Sequence, residues 1–213
     1  MVPRLILFVD DYEMLRKIYV EILSEAGYRI QDASSAEECM SSLAQEIPDL
    51  ILLDIMMKPV DGWATLLQIR DHLPSAGVPV IMISGKAILP QEISQYGPFI
   101  DGYLRKPLQN VTLLNSISAF FDWFDLLREV RDKALVSGKD PELVESYFKM
   151  RREYRSISQM YQMVQHEYDK TRDSLAADIL TEAFAEIEHY IESVAQKLKY
   201  TEGQLGVSSG FDS

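Results

Sequence analysis

Along the first half of the chain, short apolar runs alternate with stretches whose apolar residues recur every three or four positions. The runs are residues 5–9 (LILFV), a brief one at 28–30, 50–53 (LILL), 78–83 (VPVIMI) and a short one at 102–104. An unbroken apolar run bounded by Pro, Gly or acids is the pattern of a strand buried on both faces of a sheet. Between the runs, Met14, Ile18, Ile22 and Leu23 keep helical spacing up to Gly27. Ser35, with Glu38 three residues on in the form of a capping box, opens a helix carrying Cys39, Met40, Leu43 and Ala44 that stops at Pro48. Trp63, Leu66, Leu67 and Ile69 mark a third helix, and residues 90–96 a short fourth one ended by Gly97 and Pro98. Strand and helix alternating five times over predict an α/β fold, a doubly wound (βα)5 unit with a parallel five-stranded sheet covered on both faces.

The second half has a different rhythm. From Leu108, the positions Leu113, Leu114, Ile117, Phe121, Phe124, Leu127 and Val130 keep helical spacing, with no Gly or Pro before Gly138. The last helix of the α/β unit is therefore expected to run on into the next region. Residues 137–141 form a break, with Asp140 as N-cap and Pro141 at the first helical position. Beyond it Leu143, Tyr147, Met150, Tyr154, Ile157, Tyr161, Val164 and Tyr168 step by four and three, the seam of a coiled coil or helical hairpin. The phase then fails, since the heptad positions after Leu175 are Asp178 and Glu182, and a new stripe runs from Leu180 through Phe184, Ile187, Ile191, Val194 and Leu198. A change of apolar face means a stutter or a reversal. We favour a reversal near residues 172–174, capped by Asp173 or Ser174. The expected organisation is an α/β domain over 1–121, an all-α long-helix region over 122–205 and a flexible tail over 206–213.

Composition sets limits on this picture. The chain has 213 residues, 47% hydrophobic and 25% charged, enough for one core of about 120 residues and a second unit. No apolar run approaches the roughly 20 residues of a membrane span, and MVPRLILFVDD meets two acids too soon for a signal peptide, so no membrane association and a cytoplasmic location are expected. The one cysteine, Cys39, is expected to be a small apolar helix residue without a reactive role. A net charge of −12 repels phosphate backbones and disfavours nucleic acid as a partner.

The chemistry lies at the carboxyl ends of the runs. The first ends in Asp10 and Asp11, the third in Asp54, the fourth in Ser84 followed by Gly85, and the fifth leads to Lys106 and Pro107. In an open parallel sheet these ends share one crevice. Three carboxylates converging there repel unless a cation joins them, and hard oxygen donors suit Mg2+. A lysine and a hydroxyl at the rim suit a phosphoryl group. Acids at strand ends are often only caps or ion-pair partners. It is the combination at four of the five ends that points to a site.

With these residues in view, residues 1 to about 121 resemble the receiver domain of two-component response regulators, a CheY-like fold. The likeness is carried by Asp10–Asp11, Asp54, Ser84 and Lys106–Pro107, with Tyr103 three positions before the lysine. The resemblance implies that Asp54 takes a phosphoryl group from the phosphohistidine of a histidine kinase. It implies that Asp10, Asp11, Asp54 and the backbone carbonyl of Met56 hold Mg2+, and that Lys106 and Ser84 bind the phosphoryl oxygens. Ser84 and Tyr103 would form the switch, the hydroxyl drawn inward and Tyr103 rotating into the room it leaves. One departure is Lys58, where many members carry proline, with Pro59 one place later. Met56 and Lys86 flank the phosphoryl site.

The helical half resembles no family. It offers no Gly-rich phosphate loop, no metal-spaced His/Cys cluster and no nucleophile–base pair, so no separate catalytic domain is expected. Arg151, Arg152 and Arg155 read as a solvated helix face among acids. Long helices with tyrosine-rich seams suggest a homodimer through these helices and a downstream protein partner. Two alternatives stand beside this: a phosphotransfer-like module using His166 or His189, and a DNA-binding output of unfamiliar helical fold.

Overall fold

The structure, a computed structural model, describes residues 2–168 and 177–207, the side chains of 167, 168 and 177–180 aside. The chain divides into two compact units: the residues up to Ala87 with Phe99–Leu114, and Ile88–Pro98 with the chain from Asn115 on.

The first unit contains β1 (Leu5–Val9), α1 (Glu13–Glu25), β2 (Arg29–Ala33), α2 (Ala36–Gln45), β3 (Leu50–Asp54), α3 (Gly62–Asp71), β4 (Val80–Ser84), β5 (Gly102–Arg105) and the first turn of α5 (Asn110–Val136). The strands form one parallel sheet in the order β2-β1-β3-β4-β5. Every residue of β1, β3 and β4 is buried, as their unbroken apolar runs require. Each such Leu or Ile contributes about 1.5–3 kcal/mol through burial.

Two boundaries differ from the sequence pattern for local reasons. The edge strand β2 reaches Ala33 because Arg29–Ala33 pair along the whole of β1, a backbone ladder that the polar Gln31 and Asp32 do not advertise. β4 begins at Val80, since the Val78 carbonyl accepts from the Arg70 guanidinium at 2.7 Å and Pro79 has no N–H for the ladder. The cap of α2 is also a variant. Ser35 Oγ accepts the Glu38 N–H at 3.2 Å, but the Glu38 carboxylate reaches back to Ser34, accepting from its N–H and hydroxyl, both at 2.7 Å. Cys39 is buried in α2, and burial pushes its thiol up to about 12, consistent with an inert packing residue.

The second unit gathers α4 (Pro90–Tyr96), the rest of α5, α6 (Pro141–Tyr168) and α7 (Ala177–Leu205). α5 runs unbroken across residue 121 to Val136. The chain turns at Gly138, where φ is 80°, and Asp140 caps α6 by accepting the Glu142 N–H at 3.1 Å. α6 and α7 run antiparallel: Tyr147 donates to Glu202, Tyr190 to Glu153 and Tyr161 to Glu188, partner numbers falling on one helix as they rise on the other. The pair is thus a hairpin. Its turn, with Asp173 and Ser174, and the end of the tail lie outside the described residues. Tyr147, Ile157, Tyr161 and Val164 of the α6 seam are buried within the chain.

The basic cluster on α6 is not the solvated face expected from its acidic surroundings. Arg151 is buried, donating to the Tyr147 hydroxyl at 3.0 Å and pairing with Glu202. Arg155 stacks over Trp123 at 4.5 Å, and Arg152 over Phe124 and Phe148 at 5.5 and 5.8 Å. The aromatic row of α5 draws the guanidinium groups onto its ring faces.

Candidate functional site

Register sets the site. Val9 pairs with Leu53, which puts Asp10, the next residue, level with Asp54. Asp54 pairs with Ile83 and Ser84 with Arg105, so Ser84 and Lys106 follow at the same edge. The Lys106 N–H donates to the Ser84 carbonyl at 2.8 Å and fixes the lysine at the end of β5.

The structure brings together Asp10, Asp11, Asp54 and Lys106. Ligand oxygens of Asp10, Asp11 and Asp54 lie within 4.8 Å of one another. Asp10 and Asp54 are buried, whereas Asp11 is exposed. Lys106 Nζ donates to Asp10 Oδ2 at 2.7 Å and to Asp54 Oδ1 at 2.9 Å. Backbone amides hold the other oxygens: Tyr12 N–H donates to Asp10 Oδ1 at 2.8 Å, Met56 N–H to Asp54 Oδ2 at 3.1 Å and Lys58 N–H to Asp11 Oδ2 at 3.0 Å. Arg16 fixes the turn from behind, donating to the Asp10 carbonyl at 2.8 Å and to Asp32 at 2.9 Å.

Charge bookkeeping points to a cation. One lysine against three carboxylates leaves two uncompensated negative charges, the amount a divalent ion balances. Burial lifts the Asp54 carboxyl above its ordinary value; Lys106 opposes the rise and the charge of Asp10 adds to it. Burial pulls the Lys106 ammonium down, but Asp10 and Asp54 together outweigh this and hold it above lysine's ordinary range. Clustered hard oxygens at a strand edge fit Mg2+.

Ser84 and Tyr103 lie one step away. Ser84 is fully buried and its Oγ accepts the Lys86 N–H at 3.1 Å, which leaves the hydroxyl proton for another acceptor. Tyr103 is also buried, its hydroxyl donating to the Lys86 carbonyl at 2.7 Å. The Tyr103 ring is thus buried and tied through its hydroxyl to the segment that follows β4.

Sequence reasoning missed the supports. Gly62 approaches Asp54 so closely that a Cβ there would lie 2.2 Å from the Asp54 carbonyl oxygen and 2.7 Å from Ile55 Cα. Its N–H donates to the Ile55 carbonyl at 3.0 Å. The signal was the Asp-Gly pair, whose Asp61 caps α3 by accepting the Ala64 N–H at 2.8 Å. Lys58 contributes its amide to Asp11, and the Lys58–Pro59 and Lys106–Pro107 bonds are cis. His166 and His189 are exposed on α6 and α7.

A five-stranded parallel sheet with acids and a lysine at its carboxyl edge defines a receiver-type α/β domain. Residues 6–118 match the family described as response regulator receiver domain, and the chain belongs to that family. Among curated relatives, the probable transcriptional regulator ycf27 of Guillardia theta is 36% identical over 102 residues, 48% of this chain and 39% of that protein. The DNA-binding dual master transcriptional regulator RpaA of Synechocystis sp. is 27% identical over 139 residues, 65% of this chain and 57% of that protein. The chain spans about half the length of the curated relatives it matches. Among solved structures, a CheY-like response regulator receiver domain protein from Methanospirillum hungatei JF-1 shares a TM-score of 0.51 at 28% identity, covering 56% of this chain and 94% of that one. Among the described residues, no helix is long and apolar enough to cross a membrane.

Proposed function

We propose that this chain is the response regulator of a two-component phosphorelay in which Asp54 accepts a phosphoryl group from the phosphohistidine of a histidine kinase. The observation that carries the reading is Lys106 Nζ bridging Asp10 and Asp54 inside a three-carboxylate cluster at the sheet's carboxyl edge. In the transfer, an Asp54 oxygen forms the new P–O bond as the P–N bond of the donor breaks, and the departing imidazole takes up a proton. Carboxylate is a weak nucleophile towards a charged phosphoryl group, so catalysis rests on position and charge cancellation. The Met56 N–H orients the Asp54 carboxylate, Lys106 neutralises the phosphoryl oxygens, and the free proton of Ser84 donates to another. Asp10, Asp11, Asp54 and the Met56 carbonyl would hold Mg2+, which supplies further charge neutralisation. The chain needs no separate catalytic domain for this chemistry.

The output is a helical dimerisation and protein-interaction module. Its support is the α6–α7 hairpin, each helix roughly 42–44 Å long. Since much of the α6 seam is buried within the chain, pairing between copies would use outer positions such as Tyr190 and Tyr200, which are exposed. The relatives named as transcriptional regulators favour a second reading, a DNA-binding output, and leave the expected exclusion of nucleic acid unsupported. Retention on DNA that weakens steeply with salt would favour that second reading.

A small phosphodonor with Mg2+ tests the central assignment. The wild-type chain is expected to gain one phosphoryl mass and Asp54→Asn none; full labelling of the variant would sink the role of Asp54.

A further inference from the structure

By its place in the chain, α4 belongs to the α/β domain, between β4 and β5, but by its packing it belongs to the helices. Residues Ile88–Pro98 cluster with α5, α6 and α7, and α4 lies against both members of the hairpin. Ile88 and Ile93 are buried, as are Ile157 and Met160 of α6. The contact is closest at Gly97. A Cβ there would lie 2.7 Å from Ile157 Cγ1 and 3.1 Å from Met160 Cε. Gly97 has φ −51° and ψ −41°, which any residue adopts, so the glycine answers to space rather than backbone freedom.

The segment leading into α4 is the one tied to the phosphoryl site. Lys86 donates its N–H to Ser84 Oγ and accepts the Tyr103 hydroxyl at its carbonyl, and only Ala87 separates it from the captured segment. In this structure the buried Tyr103 and the docked α4 occur together.

We propose that residues 88–98 are the docking element for the α6–α7 hairpin, and that phosphorylation is read out as a tighter hold of the hairpin on α4. This rests on Asp54 as phosphoacceptor. The proposed route is short: the phosphoryl group draws on the Ser84 proton, the Ser84–Lys86–Tyr103 hydrogen bonds settle the β4–α4 connection, and the settled connection presents α4 to Ile157 and Met160. Coupling of this kind is reciprocal, so the docked hairpin in turn favours the phosphorylated site.

Amide hydrogen exchange on the full chain, with and without Mg2+ and beryllofluoride, tests it, using fluorine NMR of the same samples to register bound mimic. With mimic bound, exchange in residues 88–98 and in the facing stretch of α6 is expected to slow together. Gly97→Met forces a side chain into Ile157 and is expected to speed basal exchange in both stretches by about tenfold and to abolish their joint response. Ile157→Ala removes the contact without overpacking and is expected to act in the same direction. Bound mimic with no change in either stretch, or wild-type exchange in both variants, would overturn the proposal and leave the phosphoacceptor untouched. Absence of a bound-fluorine signal would instead overturn the phosphoacceptor reading, and the docking switch with it.

Discussion

Asp54 sits in a seat made as much by the backbone around it as by charged side chains. Gly62 leaves room for the Asp54 carbonyl, and the Met56 amide turns the carboxylate. An alanine at 62 has no flexible neighbour to displace, because the atoms in its way are backbone. Gly62→Ala is therefore expected to destabilise the fold by about 3 kcal/mol, at the upper end of overpacking costs, and to slow phosphorylation by a small phosphodonor. Chemical denaturation and labelling rates check both, and wild-type values in each would refute the role of Gly62. At this scale the polar side chains of the site were legible because Asp10, Asp11, Asp54, Ser84 and Lys106 each come at or just past the end of an apolar run. The supports were not, since the Tyr12, Met56 and Lys58 amides act through the backbone and any residue but proline supplies one.

Among the elements, the three central strands follow from continuous burial, and the extension of α5 from the absence of a break before Gly138. Less legible was what the helices pack against. A seam at heptad spacing looks the same whether its partner is another chain or another helix of the same chain, and here Tyr147 and Tyr161 meet carboxylates of α7. Nor does the spacing of Arg152 and Arg155 tell that rings of α5 lie beneath them. Phe124 stacks on Phe120 at 5.5 Å, meets Phe148 at 5.8 Å and receives the Arg128 and Arg152 guanidinium groups. Phe124→Ala is expected to cost about 3–5 kcal/mol, read as a lowered thermal midpoint. A loss below about 1 kcal/mol would mean that the row does not hold α5 to α6.

Over the whole molecule, a receiver whose fourth helix packs with the helices that follow it differs from one joined to them by a plain linker. Local sequence placed α4 correctly at residues 90–96 but gave no sign of the capture, because a seven-residue helix with Ile93 as its buried centre fits either neighbour. The proposed output also has a mass signature. Light scattering is expected to give a dimer when Mg2+ and beryllofluoride are both present, and a monomer mass under those conditions would contradict assembly through the helices.

The most direct measurement is the location of the phosphoryl group. Borohydride reduction of the freshly labelled full chain converts an aspartyl phosphate to homoserine, and peptide mass then gives its position. Homoserine at residue 54, formed with Mg2+ and missing when the metal is chelated, is the expected result. Label that resists borohydride, or that maps to His166 or His189, would contradict the account at its centre.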